Sequence, residues 1–142
     1  MKTVIATVVS LMVSLALSTV AHAASLTITV TDIEEPEGFL MIAIFDVADA
    51  YDNGGEAYDG LRIPVDAAEV STTIEDLPEG QYAIKLYHDA NGNGEMDTNM
   101  MGLPVEGYGF SSNKGRFGPP PFADAMFEVS EDADNQVVIK LR

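Results

Sequence analysis

The sequence predicts an all-β fold: an antiparallel two-sheet sandwich of about seven strands, with one long ordered loop. Three observations carry that expectation. Short apolar runs alternate with a period of two, turn residues punctuate them at regular spacing, and no long stretch shows the period of an amphipathic helix.

The elements follow in order. Leu26, Ile28 and Val30 point one way and Thr27, Thr29 and Thr31 the other, which is a strand with one wet face. Phe39 to Phe45 (FLMIAIF) is apolar at every position and rich in β-branched and aromatic residues, so it reads as a central strand covered on both sides. Leu61, Ile63 and Val65 alternate with Arg62 and Pro64, and a proline that cannot donate to a ladder marks an edge strand. Val70, Thr72 and Ile74 form a short strand, and Asp76-Leu77-Pro78-Glu79-Gly80 has the chemistry of a turn into Tyr82 to Tyr87. Tyr82, Ile84 and Leu86 share one face. Tyr82 suits either a tyrosine corner, its hydroxyl tied to nearby backbone, or an ordinary strand position with its tip in water. Phe127 and Val129, then Val137, Ile139 and Leu141, supply the last two strands.

Two segments do not read as strands. Asp46 to Gly60 is acidic and Gly-rich, an excursion with room for one helical turn. Asp89 to Phe122 is a long loop, and its aromatic content argues for order. Neither a repeat nor a linker divides the chain after residue 23, so residues 24–142 are expected to form one domain.

The first 23 residues have the form of a cleaved signal peptide. Lys2 gives a positive start, Val4 to Val20 is apolar apart from Thr and Ser, and Ala21-His22-Ala23 offers small residues where signal peptidase reads. A periplasmic or extracellular location follows, with no membrane anchor after cleavage; the lipid-bearing Cys of a lipoprotein is not present. Cleavage after Ala23 removes Lys2 and no acid. It leaves 119 residues with six Lys and Arg against 23 Asp and Glu, a formal charge of −17. Such a surface repels phosphate backbones and anionic headgroups, which argues against nucleic acid and electrostatic membrane attachment and favours cations. Without Cys there are no disulfides, thiol nucleophiles or thiolate metal sites.

The chemistry concentrates in Asp89-Ala90-Asn91-Gly92-Asn93-Gly94-Glu95-Met96-Asp97. Oxygen-bearing side chains at relative positions 1, 3, 5 and 9, with Gly at 6, match the first part of a calcium loop of the EF-hand type. A chain wrapping a hard cation turns alternate side chains inward, so Asp89, Asn91, Asn93 and Asp97 would give side-chain oxygens and Glu95 its backbone carbonyl. Position 12 is Met100 where an EF-hand has a bidentate Glu, and a strand rather than a helix leads in. Further ligands would have to come from the Glu95 side chain, Glu106, Asp46, Asp49 or water, and binding would be weak. The plainer reading is a turn-rich loop whose Asx side chains bond local backbone.

Other signals are thinner. His88 has no second His or Cys beside it to build a zinc site, and fits packing or hydrogen bonding better than catalysis. Ser111 and Ser112 lack the glycine spacing of a nucleophile elbow. The loop from Gly107 to Phe122 gathers Tyr108, Phe110, Asn113, Lys114, Arg116 and Phe117. These form either a surface for a sugar, a peptide or a protein, or a plug of Tyr108, Phe110 and Phe117 at the open end of the sandwich.

Three runs carry a resemblance: LPEGQYAIKLYHDANGNGEMDTN (Leu77 to Asn99), GLPVEGYGFSSNKG (Gly102 to Gly115) and FGPPPFADAMF (Phe117 to Phe127). Together, and above all in the H-D-x-N-G-N-G-x-x-D and E-G-Y-G-F-S blocks, the chain resembles the bacterial secreted family known as domain of unknown function 2141. The resemblance implies a small exported β-sandwich, loosely similar to prealbumin-like and immunoglobulin-like modules, and transfers no catalytic residue. The expectation is therefore an exported binding or structural module stabilised by calcium, whose partner outside the cytoplasm is a protein, peptide or glycan. The alternative is an extracellular or periplasmic enzyme acting on glycan or peptide, with His88 and nearby carboxylates as acid and base.

Overall fold

The computed structural model describes residues 23–142, so the expected signal peptide lies, but for Ala23, outside the described residues. One sheet is built from β1 (Ala23–Thr31), β4 (Val70–Pro78) and β8 (Asn135–Lys140), with β1 in the middle. The other contains β2 (Phe39–Phe45), β3 (Asp59–Pro64), β5 (Gly80–Asp89) and β6 (Tyr108–Phe110) in the order β3-β2-β5-β6, and β7 (Phe127–Val129) also pairs with β5. Two short helices, α1 (Ala48–Asn53) and α2 (Phe122–Ala125), sit at one end of this second sheet. Among the described residues no helix is long and apolar enough to cross a membrane.

The alternation seen in the sequence decides which side chains meet between the sheets. Leu26, Ile28 and Val30 of β1 and Val137 and Ile139 of β8 pack against Leu40, Ile42 and Ile44 of β2 and Ile84 and Leu86 of β5. On the wet face of β1, Thr27 and Thr29 pair their hydroxyls with those of Thr73 and Ser71 on β4 at 3.1 and 2.7 Å. β2 is central and β3, with Pro64, is an edge strand, as the runs predict.

Three details differ from expectation. First, β1 and β8 run parallel, from Leu26 opposite Asn135 to Thr31 opposite Lys140. A parallel neighbour needs a long crossover, and here the chain between β1 and β8 passes through the whole opposite sheet.

Second, the segment from Asp76 to Gly80 is not a simple turn. Asp76 has φ 59°, and the register against β1 slips there: Ala24 faces Leu77 while Leu26 faces Ile74. The extra residue on β4 bends the strand as a bulge does. Leu77 is thereby buried, and only Glu79 separates β4 in one sheet from β5 in the other. At this corner the buried Tyr82 donates its hydroxyl to the carbonyl of Pro78 at 2.8 Å, which is the tyrosine-corner arrangement.

Third, β6 forms inside the predicted long loop. It bonds β5 on one side, while Tyr108 exchanges backbone hydrogen bonds with Arg142, beyond β8, on the other. A Cβ on Gly109 would lie 2.6 Å from Ile139 Cγ2, so only glycine lets β6 cross so close to β8. Ser111 then ends the pairing. Its Oγ accepts from Ile84 N–H at 3.0 Å and donates to the Ala125 carbonyl at 2.6 Å, and β7 takes up β5 at Tyr82.

Candidate functional site

The side chains of the second sheet that face away from the core divide into two zones. At the Phe45 end, α1 and α2 cover the sheet, and Phe45, Tyr51, Ala83, Phe122 and Ala125 form a second buried cluster with Tyr51 edge-on to Phe45 and Phe122. Toward the other end the sheet is open. Met41 and Ala43 of β2, Gly60 and Arg62 of β3, and Lys85 and Tyr87 of β5 line a groove of about 960 Å³, with Tyr108 and Phe110 of β6 beside them. Met96, Leu103 and Pro104 line it from one loop, and Arg116, Phe117, Gly118 and Pro119 from another.

Apolar side chains dominate this lining. Phe117 is 97% exposed and Leu103 55%, an arrangement that costs hydration free energy unless something covers it. Arg62, Lys85 and Arg116 line the groove and no Asp or Glu does, although acids outnumber bases by 23 to seven in the chain. Each cation rests against an aromatic ring. Arg62 lies 3.2 Å from the centre of Phe39, Arg116 5.6 Å from Phe117, and Lys85 4.1 Å from Tyr51 and 5.3 Å from Phe45. Lys85 Nζ also donates to the Tyr51 carbonyl. Burial holds the Lys85 ammonium below its ordinary pKa, opposed by the nearby Asp52 carboxylate.

The loop from Asp89 to Asp97 stands behind one wall. Buried Asp89 accepts from the backbone N–H of Asn93 at 3.0 Å and of Gly94 at 2.9 Å. Asn91 and Asn93 send their amide N–H groups to the two Asp97 oxygens at 2.5 and 2.9 Å. Their own side-chain oxygens accept from the backbone of Asn93 and Glu95. Glu106 closes the arc by accepting from Ala90 N–H at 3.1 Å and Asp97 N–H at 3.0 Å. The side chains of Asp89, Asn91, Asn93 and Asp97 thus converge, while that of Glu95, a residue expected to give its backbone carbonyl, is exposed. Glu106 joins them. Asp46 and Asp49 do not: Asp89 pairs with Phe39 at one end of β2, and Asp46 follows Phe45 at the other, roughly 20 Å away at strand rise. Among the described residues no three His, Cys, Asp or Glu side chains gather as a metal site, so any cation here would need amide and carbonyl oxygens in addition to carboxylates.

The loop and the groove share Tyr87. Its ring lines the groove and its hydroxyl donates to the Gly94 carbonyl at 2.9 Å, pinning the loop over the sheet. Burial, followed by the charges of Asp89, Glu106 and Glu95, raises its pKa.

Of the residues expected in the aromatic loop, Tyr108, Phe110, Arg116 and Phe117 line the groove. Phe117 does not plug the sandwich. Asn113 turns away from the groove toward β8. It has φ 56°, and its amide bonds the Val138 carbonyl at 2.8 Å and Lys140 N–H at 2.8 Å, covering the free edge of that strand. Lys114 is exposed beside it and does not line the groove. His88 is buried and its Nε2–H donates to the Glu37 carbonyl at 2.7 Å, beside a smaller cleft of about 420 Å³ that Glu34, Glu35 and Glu106 also line. Sequence reasoning missed Met41, Ala43, Arg62, Lys85 and Tyr87. The one available signal was that FLMIAIF is apolar on both faces, which means that its outward face must be covered by something.

No curated protein and no solved structure matches the chain. The model of a family described as uncharacterized proteins conserved in bacteria (DUF2141) matches residues 28–137, a span that takes in the groove, the Asp89 to Asp97 loop, the second buried cluster and most of the first, and the chain belongs to that family.

Proposed function

We propose that this chain is an exported binding module whose working surface is the groove on the outer face of the second sheet. The observation that carries this reading is the groove itself, which combines apolar lining, exposed apolar rim residues and three cations in an acidic chain. Export rests on the signal-like first 23 residues. The test is a neutral solvatochromic probe, Nile red, titrated into the protein. Its emission should rise and shift to the blue, and Gly60→Phe, which fills the groove from an open position on β3, should abolish the change. An unchanged response in Gly60→Phe would place the dye elsewhere and remove the reading.

Calcium has a place in the same proposal. The loop that would bind it, through Asp89, Asn91, Asn93, Asp97 and the Glu95 carbonyl, holds a groove wall through Tyr87 and Gly94. Binding would require the Asn91 and Asn93 amides to turn their oxygens toward the ion in place of the N–H groups that now face Asp97. At 100 times its dissociation constant, calcium would stabilise the fold by about 2.7 kcal/mol. That is a midpoint rise on the order of 10 °C. Thermal unfolding in EDTA and in millimolar calcium, with Asp97→Ala alongside, tests it. A rise absent from the variant supports a site; no rise means the loop is held by hydrogen bonds alone.

The enzyme reading, on glycan or peptide, ranks below both. His88 would have to act from a buried position with Nε2 already committed to a backbone carbonyl, and the residues lining the cleft beside it include no Ser, Thr or Cys.

A further inference from the structure

We infer that the groove takes a single-chain amphiphilic carboxylate, its head on Lys85 and its apolar tail along Met41, Ala43 and Tyr87 toward the Leu103 and Phe117 rim. This deepens the groove reading above and rests on it.

The charge of the lining selects the sign of the ligand. An acidic protein would be expected to surround any cleft with carboxylates, yet this one has cations at Arg62, Lys85 and Arg116 and no acid. A cationic ligand would meet repulsion there and find no counter-charge. A neutral one would gain nothing from the half-buried ammonium of Lys85, whose contacts on the protein are the Tyr51 carbonyl and two aromatic faces, whereas an anion adds a directly facing counter-charge. Lys85 spends one of its three N–H donors on the Tyr51 carbonyl, and the rest are free in direction for a small anionic head. A phosphate dianion would be held less well by one lysine in the field of a strongly negative chain.

The floor of the groove selects the body. It is the face of a sheet, so it presents side chains; the backbone groups of β2 and β5 beneath it are already paired with their neighbouring strands. An extended peptide laid there would leave its own N–H and C=O groups unpaired in an apolar cleft, which is costly. Recognition of peptides by sheets uses an edge for that reason. A sugar would need polar partners, and apart from three cations and the Tyr87 and Tyr108 hydroxyls the side chains of the lining offer carbon and sulfur. An alkyl tail carries no such demand. At about 960 Å³ the groove lies at the upper end of small-molecule sites, which run to roughly 1,000 Å³.

The experiment is calorimetric titration of the protein with dodecanoate, dodecanol and dodecyltrimethylammonium, all below their micellar range. The expected result is one dodecanoate per chain, at least tenfold tighter than the alcohol, with no saturable binding of the ammonium. Affinity should rise about fourfold per added methylene until the groove is filled. Lys85→Met should remove the preference for dodecanoate over dodecanol and keep binding of the alcohol, while exposed Arg116→Gln should weaken dodecanoate by a smaller factor. The comparison of the three ligands needs no variant, so misfolding of Lys85→Met would not obscure the answer. Equal binding of dodecanol and dodecanoate, or a preference unaltered in both variants, would overturn the inference while leaving the groove as the working surface. If none of the three binds and Nile red is also indifferent to Gly60→Phe, the groove reading falls with it.

Discussion

β2 and β5 send alternate residues to two faces, and the two faces have different fates. On the inner face Leu40, Ile42, Ile44, Ile84 and Leu86 are buried by the opposing sheet along the whole length of the strands. On the outer face only the end around Phe45 and Ala83 is covered, by the two short helices, and the stretch through Met41, Ala43, Lys85 and Tyr87 stays open. The strands and the period are the same on both sides. What differs is whether a neighbouring segment of chain has been built to cover the apolar side chains. The contrast between an apolar surface left open and one closed over is what the proposed binding surface rests on.

The largest effect should come from treating the two faces alike. Ile84→Ala removes a fully buried side chain from the inner face and should destabilise the fold by about 2–5 kcal/mol, the range of such core truncations. Met41→Ala on the outer face should cost on the order of 0.5 kcal/mol, as substitutions away from a packed core do. Chemical denaturation of both variants checks the pair. Similar losses would mean that the open stretch is packed as tightly as the core and that the groove is no vacancy.

A smaller effect is expected at β6, whose residues divide the same way. Tyr108 and Phe110 face the groove, whereas a side chain at position 109 would run into Ile139, with the Lys140 carbonyl 3.1 Å away behind it. Gly109→Ala should therefore destabilise by about 1–3 kcal/mol as an overpacked site does. Tyr108→Ala should affect ligand binding more than the unfolding midpoint. A Gly109→Ala protein as stable as its parent would show that β6 can lift away from β8.

How much of this could be read from the sequence follows from what each signal reports. Alternation in Leu26 to Thr31 and the proline in Leu61 to Val65 report local geometry, and those strands stand where they were expected. The corner tyrosine was legible as one of two options because turn chemistry precedes Tyr82. β6 was not: Tyr108, Gly109 and Phe110 form too short a run for periodicity, and the strand exists only because β5 and Arg142 offer partners on its two sides. The bulge at Asp76 was hidden for the same reason, since a one-residue slip depends on the opposing strand. For the loop, the spacing from Asp89 to Asp97 matches a hydrogen-bonded arrangement in which Asp89, Asn91, Asn93 and Asp97 meet. The groove was illegible because Met41, Arg62, Lys85 and Tyr87 come from three strands whose order no local pattern encodes.

The mildest prediction concerns the covered end of the outer face, where closure is incomplete in chemical terms. Tyr51 is fully buried among Phe45 and Phe122, and its hydroxyl has no hydrogen-bond partner. Burial, with the Asp52 charge adding to it, pushes its pKa from 10.0 up to about 12. A group whose folded pKa is raised favours the folded state below its unfolded pKa and loses that contribution as pH climbs through the folded value. Between about pH 10 and pH 12 the unfolded chain releases this proton and the folded chain keeps it, so stability falls with rising pH across that window. Tyr51→Phe removes the orphaned hydroxyl and keeps the ring contacts, and should stabilise the fold by about 1 kcal/mol at neutral pH. It should also flatten the alkaline decline relative to the parent, leaving the part contributed by Tyr82 and Tyr87, whose pKa values burial also raises. Unfolding midpoints of both proteins from pH 7 to 11.5 measure the two effects together. A destabilised Tyr51→Phe would show that the hydroxyl finds a partner, such as a trapped water, and that the covered end is as fully satisfied as the core between the sheets.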